Sequence, residues 1–123
     1  MKVVLRNPHA SSEADYRHSL TVGSEYEVIG ISYNSFRLIN DKGEPILYEM
    51  QCFDVTDPVE SPFWVSIVEH DDEEEVRYAN PPGWGVPGFY EDWHDGVEII
   101  RRVFDAQLAA WYPDVAKARR RTR

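Results

Sequence analysis

Any chemistry in this chain would come from four histidines, one cysteine and a large set of carboxylates. His94 and Glu98 are four residues apart, and Glu91 and Asp95 lie close by. One imidazole with several carboxylates can hold a metal ion, which would make a small metal-dependent hydrolase. No second His or Cys falls at ligand spacing, so these residues read first as a solvated helix start. His70-Asp71-Asp72 would sit on a charged tip where metal selectivity is poor. Cys52 would need a histidine beside it to act as a nucleophile. It shares a strand face with Ile46, Tyr48 and Met50, which is the place of an inert core cysteine. There is no HExxH, GxSxG or paired CxxC. Gly83, Gly85 and Gly88 are wrongly spaced, among prolines, for a phosphate loop. The expectation is a protein that is not an enzyme and uses no metal or other cofactor.

Binding chemistry is better represented. Asp71, Asp72, Glu73, Glu74 and Glu75 are five consecutive acids. Such a run is either a solvated tip or a docking strip that steers a basic partner. Trp84, Phe89, Tyr90 and Trp93 form an aromatic group among glycines. They either plug the end of the core or, as Trp84, Tyr90 and Trp93, make an interface hot spot. Acid beside aromatic suits a protein partner.

The net charge of −9 is unevenly spread. Residues 117–123 hold five bases and no acid, which leaves 8 − 22 = −14 for residues 1–116. The body should therefore repel nucleic acid, and its charge either attracts a basic protein or simply keeps the domain soluble. The expected organisation is one globular domain over 1–116 and a basic, frayed tail over 117–123, too small a footprint for nucleic acid. A lone cysteine excludes an intrachain disulfide and fits a reducing compartment. No apolar run approaches the roughly 20 residues of a membrane helix. The expected location is cytoplasmic, with no membrane partner.

The elements that would carry these residues are mostly strands. Lys2–Leu5 is a candidate, and residues 7–20 read as a loop or arm. Glu25–Val28 alternates polar and apolar residues, with a phase break near Gly30 that suggests a bulge. Ser35–Ile39 and Pro45–Val55 should pair as a hairpin around Asn40-Asp41-Lys42-Gly43. Phe63–Val68 reads as a buried strand, and Val76–Tyr78 as a short return from the acidic tip. Residues 80–88 are a loop. Asp95 and Glu98 have capping-box spacing, and Val97, Ile100, Phe104, Leu108 and Trp111 form one apolar stripe. Pro113 should end that helix. The fold class is α+β: a small, strongly bent antiparallel sheet or SH3-like open barrel, with one C-terminal helix packed on it.

Residues 20–28 (LTVGSEYEV), 40–45 (NDKGEP) and 63–65 (FWV) resemble the opening of SH3-like barrels. Gly88-Phe89-Tyr90-Glu91-Asp92 before a last helix is similar to a segment of small bacterial proteins, including immunity proteins of toxin systems. The resemblance implies a protein-binding domain that neutralises a basic toxin by occluding its active site. The alternatives are an SH3-like adaptor or regulatory module that binds a peptide, and the small metal-dependent hydrolase.

Overall fold

The structure, a computed structural model, describes residues 1–9 and 15–121. Among the described residues, eight strands precede three α-helices. The strands are β1 (Lys2–Leu5), β2 (Glu25–Glu27), β3 (Gly30–Ser32), β4 (Ser35–Ile39), β5 (Pro45–Glu49), β6 (Phe53–Asp57), β7 (Val65–Asp71) and β8 (Glu74–Asn80). The helices are α1 (Phe89–His94), α2 (Glu98–Trp111) and α3 (Pro113–Arg121). The strands form two antiparallel sheets, one ordered β2-β1-β6 and the other β5-β4-β3-β8-β7. The chain is thus α+β, with two sheets in place of one bent sheet and three helices in place of one.

The chain crosses between the sheets three times, the last along residues 58–64 between β6 and β7. At Val28-Ile29 it leaves β2 of the small sheet and enters β3 of the large one; both residues are buried. The phase break at Gly30 is therefore a change of sheet and not a bulge within one strand. At Met50–Cys52 a single turn of 3-10 helix breaks the expected Pro45–Val55 strand and returns the chain to pair β6 with β1.

The β4–β5 hairpin forms as the sequence dictates. The Asn40 side-chain oxygen accepts from the amides of Lys42 and Glu44, and Gly43 takes the left-handed φ of 80°. Asparagine and glycine are the residues that supply these two functions at a turn. Ile46, Tyr48, Met50 and Cys52 all turn toward one core cluster with Val3, Leu5, Phe36 and Leu38. Cys52 is fully buried there.

A second cluster lies under the helices, around Ile29, Ile39, Trp84, Phe104 and Leu108. Phe104 and Leu108 carry the α2 stripe inward; Ile100 and Trp111 are half-buried, and Val97 lies outside it. Asp95 does not cap α2, because it caps the end of α1. Gly96 follows at φ 79°, its amide bonding to Trp93 O and that of Val97 to Asp92 O. This is a Schellman C-terminus, so the Asp-Gly pair closes one helix before the next begins. Val97 is the N-cap of α2.

Pro113 ends α2 and also begins α3, in the first helical position that a ring without an N–H suits best. The basic segment is correspondingly not a frayed tail as far as Arg121, the last residue described. Arg119 is 6% exposed and bonds to Gly43 O and Asp105. Residues 122–123 lie outside the described residues, as do 10–14 of the expected N-terminal arm.

Candidate functional site

The acidic run sits at the tip of the β7–β8 hairpin. Seven residue pairs join the two strands, from Val65↔Asn80 to Asp71↔Glu74, which leaves Asp72-Glu73 as a two-residue turn. Asp72 accepts φ 53°, a conformation that aspartate tolerates better than most residues. The return strand is longer than the expected Val76–Tyr78. Asp71 is placed here by its backbone register; the side chains of Asp72, Glu73, Glu74 and Glu75 are exposed.

Few cations answer these charges. The Arg77 guanidinium is engaged elsewhere, bonding to both Glu60 oxygens at 2.7 and 2.6 Å and to Ser66 Oγ at 2.9 Å. Its bonds hold the Glu60 carboxyl below the usual range. His70 lies 3.9 Å from Glu75, and the Tyr33 hydroxyl donates to Glu74 at 3.0 Å. Among the described residues, Glu69, Asp72 and Glu73 have no cationic partner within 4 Å.

Strand β7 is one of the two edges of the large sheet, opposite β5. The expected buried strand Phe63–Val68 is instead an exposed one that starts two residues later. Val65 and Ile67 are each 53% exposed. Phe63 and Trp64 precede the strand; Phe63 stacks on Trp111, and the Trp64 indole donates to Tyr112 Oη. The direction of the outer edge follows from the pairing. Tyr33 N donates to Arg77 O, so Arg77 turns its backbone groups toward β3, and Val68↔Arg77 is a pair without mutual hydrogen bonds. Alternation then directs the N–H groups of Ser66, Val68 and His70 outward, away from β8. A seven-residue edge with exposed valine and isoleucine is a template for another strand.

The aromatic group does not share this exposure. Trp84 is 1% exposed and its indole N–H donates to Gln107 Oε1 at 2.7 Å. Its ring centroid lies 4.6 Å from that of Phe104. Trp93 is buried beneath the Arg101 guanidinium. Both indoles fill the second core cluster, and Trp84 also lines part of a cleft. Tyr90 is half-buried and borders a cleft. Among the described residues no three His, Cys, Asp or Glu side chains converge as a metal site. The His94 ring packs edge-on against Trp93.

Sequence reasoning missed the outward face of β7 and the cleft beside it. A usable signal was present: Val65, Ile67 and Glu69 alternate with Ser66, Val68 and His70, so each face mixes polar and apolar residues, as an edge strand does.

No protein-family model, curated protein or solved structure matches this chain.

Proposed function

We propose that this chain is a protein-binding domain whose docking edge is strand β7, with the acidic β7–β8 tip steering a basic partner onto it. The carrying observation is the coincidence, on one hairpin, of an open strand edge, exposed Val65 and Ile67, and uncompensated carboxylates at Asp72 and Glu73. Main-chain pairing supplies affinity, side-chain contacts supply specificity, and the negative field raises the association rate. The partner is an extended segment of a basic protein. A basic toxin occluded by the hairpin is the case that the charge and the immunity-type resemblance both favour. The SH3-like scaffold is part of the same proposal, supported by the resemblance and by the shared core cluster of β1 and β3–β6.

The test is to capture partners on the purified domain at low salt, identify them, and measure each against two variants. One carries Asp72→Lys and Glu73→Lys; the other carries Val68→Pro. The reading requires a basic partner whose affinity falls with salt, drops at least about tenfold on charge reversal, and is lost with the proline. Unchanged affinity and salt dependence in both variants would falsify it. Self-association through β7, lost in Val68→Pro, would replace the foreign strand with a second copy.

A further inference from the structure

Besides its edge, the large sheet has a face that the helices cover only in part. Phe36, Leu38, Ile31 and Ala79 point to the first core cluster. The opposite face carries Arg37, Ser32, Asn80, Tyr78, Val65 and Ile67. Loop 81–88 and the start of α1 rise along one side of it. The result is a cleft of about 720 Å³, large enough for a small organic molecule.

Arg37 marks its inner end. The guanidinium lies 3.6 Å over the Tyr90 ring and donates weakly to Pro45 O at 3.3 Å. Among the described residues it has no carboxylate partner, and burial pulls its pKa down from the usual arginine value. In a chain of net charge −9, a desolvated cation without a carboxylate is costly. An anion beside it would offset that cost.

The neighbouring polar groups are also open. Gly30 separates Arg37 from Asn80 across the sheet, so two strand spacings, about 10 Å, divide their backbones. A side chain at Gly30 would collide with the Asn80 amide, 2.7 Å from where its Cβ would lie. Glycine thus makes the space in which Asn80 lies. Neither Asn80 nor Ser32 has a side-chain hydrogen bond among the described residues, and the buried Tyr90 hydroxyl has none either. The outer half of the cleft is apolar, from Tyr78, Val86, Val65 and Ile67. Glu69 and Glu91 also border it and disfavour a ligand of high negative charge.

We infer that this cleft binds a small monocarboxylate with an apolar body, its carboxylate on Arg37, Asn80 and Ser32 and its body along Tyr78 and Ile67. This inference does not rest on the strand-addition reading, although Val65 and Ile67 border both sites. The carboxylate would accept charge-assisted bonds from Arg37, while the apolar arm removes exposed valine and isoleucine surface from water.

Phenylbutyrate, phenylbutanol and phenylbutylamine share the body and differ in the head group. The full chain is titrated with each by calorimetry, with amide shifts recorded in parallel. Saturable binding of phenylbutyrate is expected, at least about tenfold tighter than the alcohol or the amine, with shifts at Ser32, Asn80 and Ile67. Arg37→Gln should lose that preference. Arg37 stacks on Tyr90, so a second variant, Ile67→Trp on the exposed rim, fills the cleft without touching the guanidinium; it should lose binding while keeping the fold. No saturable binding by the folded chain overturns the inference. So does equal affinity for the alcohol, unchanged binding in Ile67→Trp, or tighter binding of pyrophosphate than of phenylbutyrate.

Discussion

Arg119 on α3 donates its Nε to the carbonyl oxygen of Gly43, 2.8 Å away in the β4–β5 turn. The same guanidinium bonds to Asp105 on α2 at 2.5 Å and lies near the Trp93 and Phe104 rings. One side chain of the basic segment therefore ties the last helix to a turn 76 residues earlier. The turn accommodates it because Gly43 has no Cβ; one there would lie 3.3 Å from Arg119 Cγ, at a φ of 80° that glycine alone adopts readily. Arg119→Met keeps most of the volume and removes the hydrogen bonds. It should cost about 2–4 kcal/mol of unfolding free energy, since a buried carbonyl loses its donor. Urea unfolding checks this: the midpoint should fall with little change in slope. A loss below about 0.5 kcal/mol would mean that α3 is held by its apolar contacts alone.

Trp84 and the acidic tip should separate cleanly in their effects. Trp84→Ala empties the middle of the second cluster and orphans Gln107, so about 3–5 kcal/mol of stability should be lost. Asp72→Asn with Glu73→Gln touches two exposed side chains and should move stability by no more than about 0.5 kcal/mol. Partner binding should show the reverse order once both proteins are folded. Should Trp84→Ala prove as stable as the parent, the burial of the indole would not be structural.

Alkali should destabilise the fold in a defined window. Burial pushes Tyr26 up to about 12, with its bond to Asp41 acting in the same direction, and burial also raises Tyr48, Tyr90 and Tyr112. An unfolded tyrosine ionises near 10. The folded values are higher, so above about pH 10 the unfolded chain binds fewer protons than the folded one. The stability these phenols contribute is fully present below that pH and is lost as pH rises through the folded values. Unfolding free energy should therefore decline from about pH 10 to 12, and Tyr26→Phe should flatten part of the slope. A flat profile across that range, in a chain still folded at its upper end, would contradict the burial of these hydroxyls.

What could be read in the sequence was what local geometry decides. The β4–β5 hairpin follows from alternation on either side of Asn40–Gly43, and α2 from an apolar stripe at helical spacing. Alternation identifies the face of a strand but not the sheet to which it belongs. Hence the changes of sheet at Val28-Ile29 and Met50–Cys52 were read as a bulge and as one long strand. Pro113 has two compatible meanings, an end and a first helical residue, and only the packing of Ala116 and Arg119 selects the second. The candidate site divides in the same way. Asp72–Glu75 were legible as an exposed tip because like charges cannot be buried together. Whether Trp84 and Trp93 faced solvent depended on α2 closing over them, and the exposure of Ile67 on β7 being last in strand order. Both are long-range outcomes. Arg37 had no signal of its own, since its cleft exists only where the helices stop short of β7.

The direction of backbone groups on β7 permits one sharper test of the docking edge. Val68 turns its N–H outward, so a proline there removes a donor that the β7–β8 ladder does not use. Proline is tolerated on an edge strand in that orientation. Val68→Pro should leave the circular dichroism spectrum intact and change stability by about 1 kcal/mol or less. Ile67→Pro, one residue away, removes an inward donor in the pair with Tyr78 and should cost about 3 kcal/mol or more. Binding by strand addition would be lost in Val68→Pro despite its intact fold, whereas binding through side chains alone would survive it. The paired prolines thus distinguish a partner that extends the sheet from one that only rests on its acidic tip. A reversed order, with Val68→Pro the more destabilising, would show that the inward and outward positions assigned to β7 are shifted by one residue.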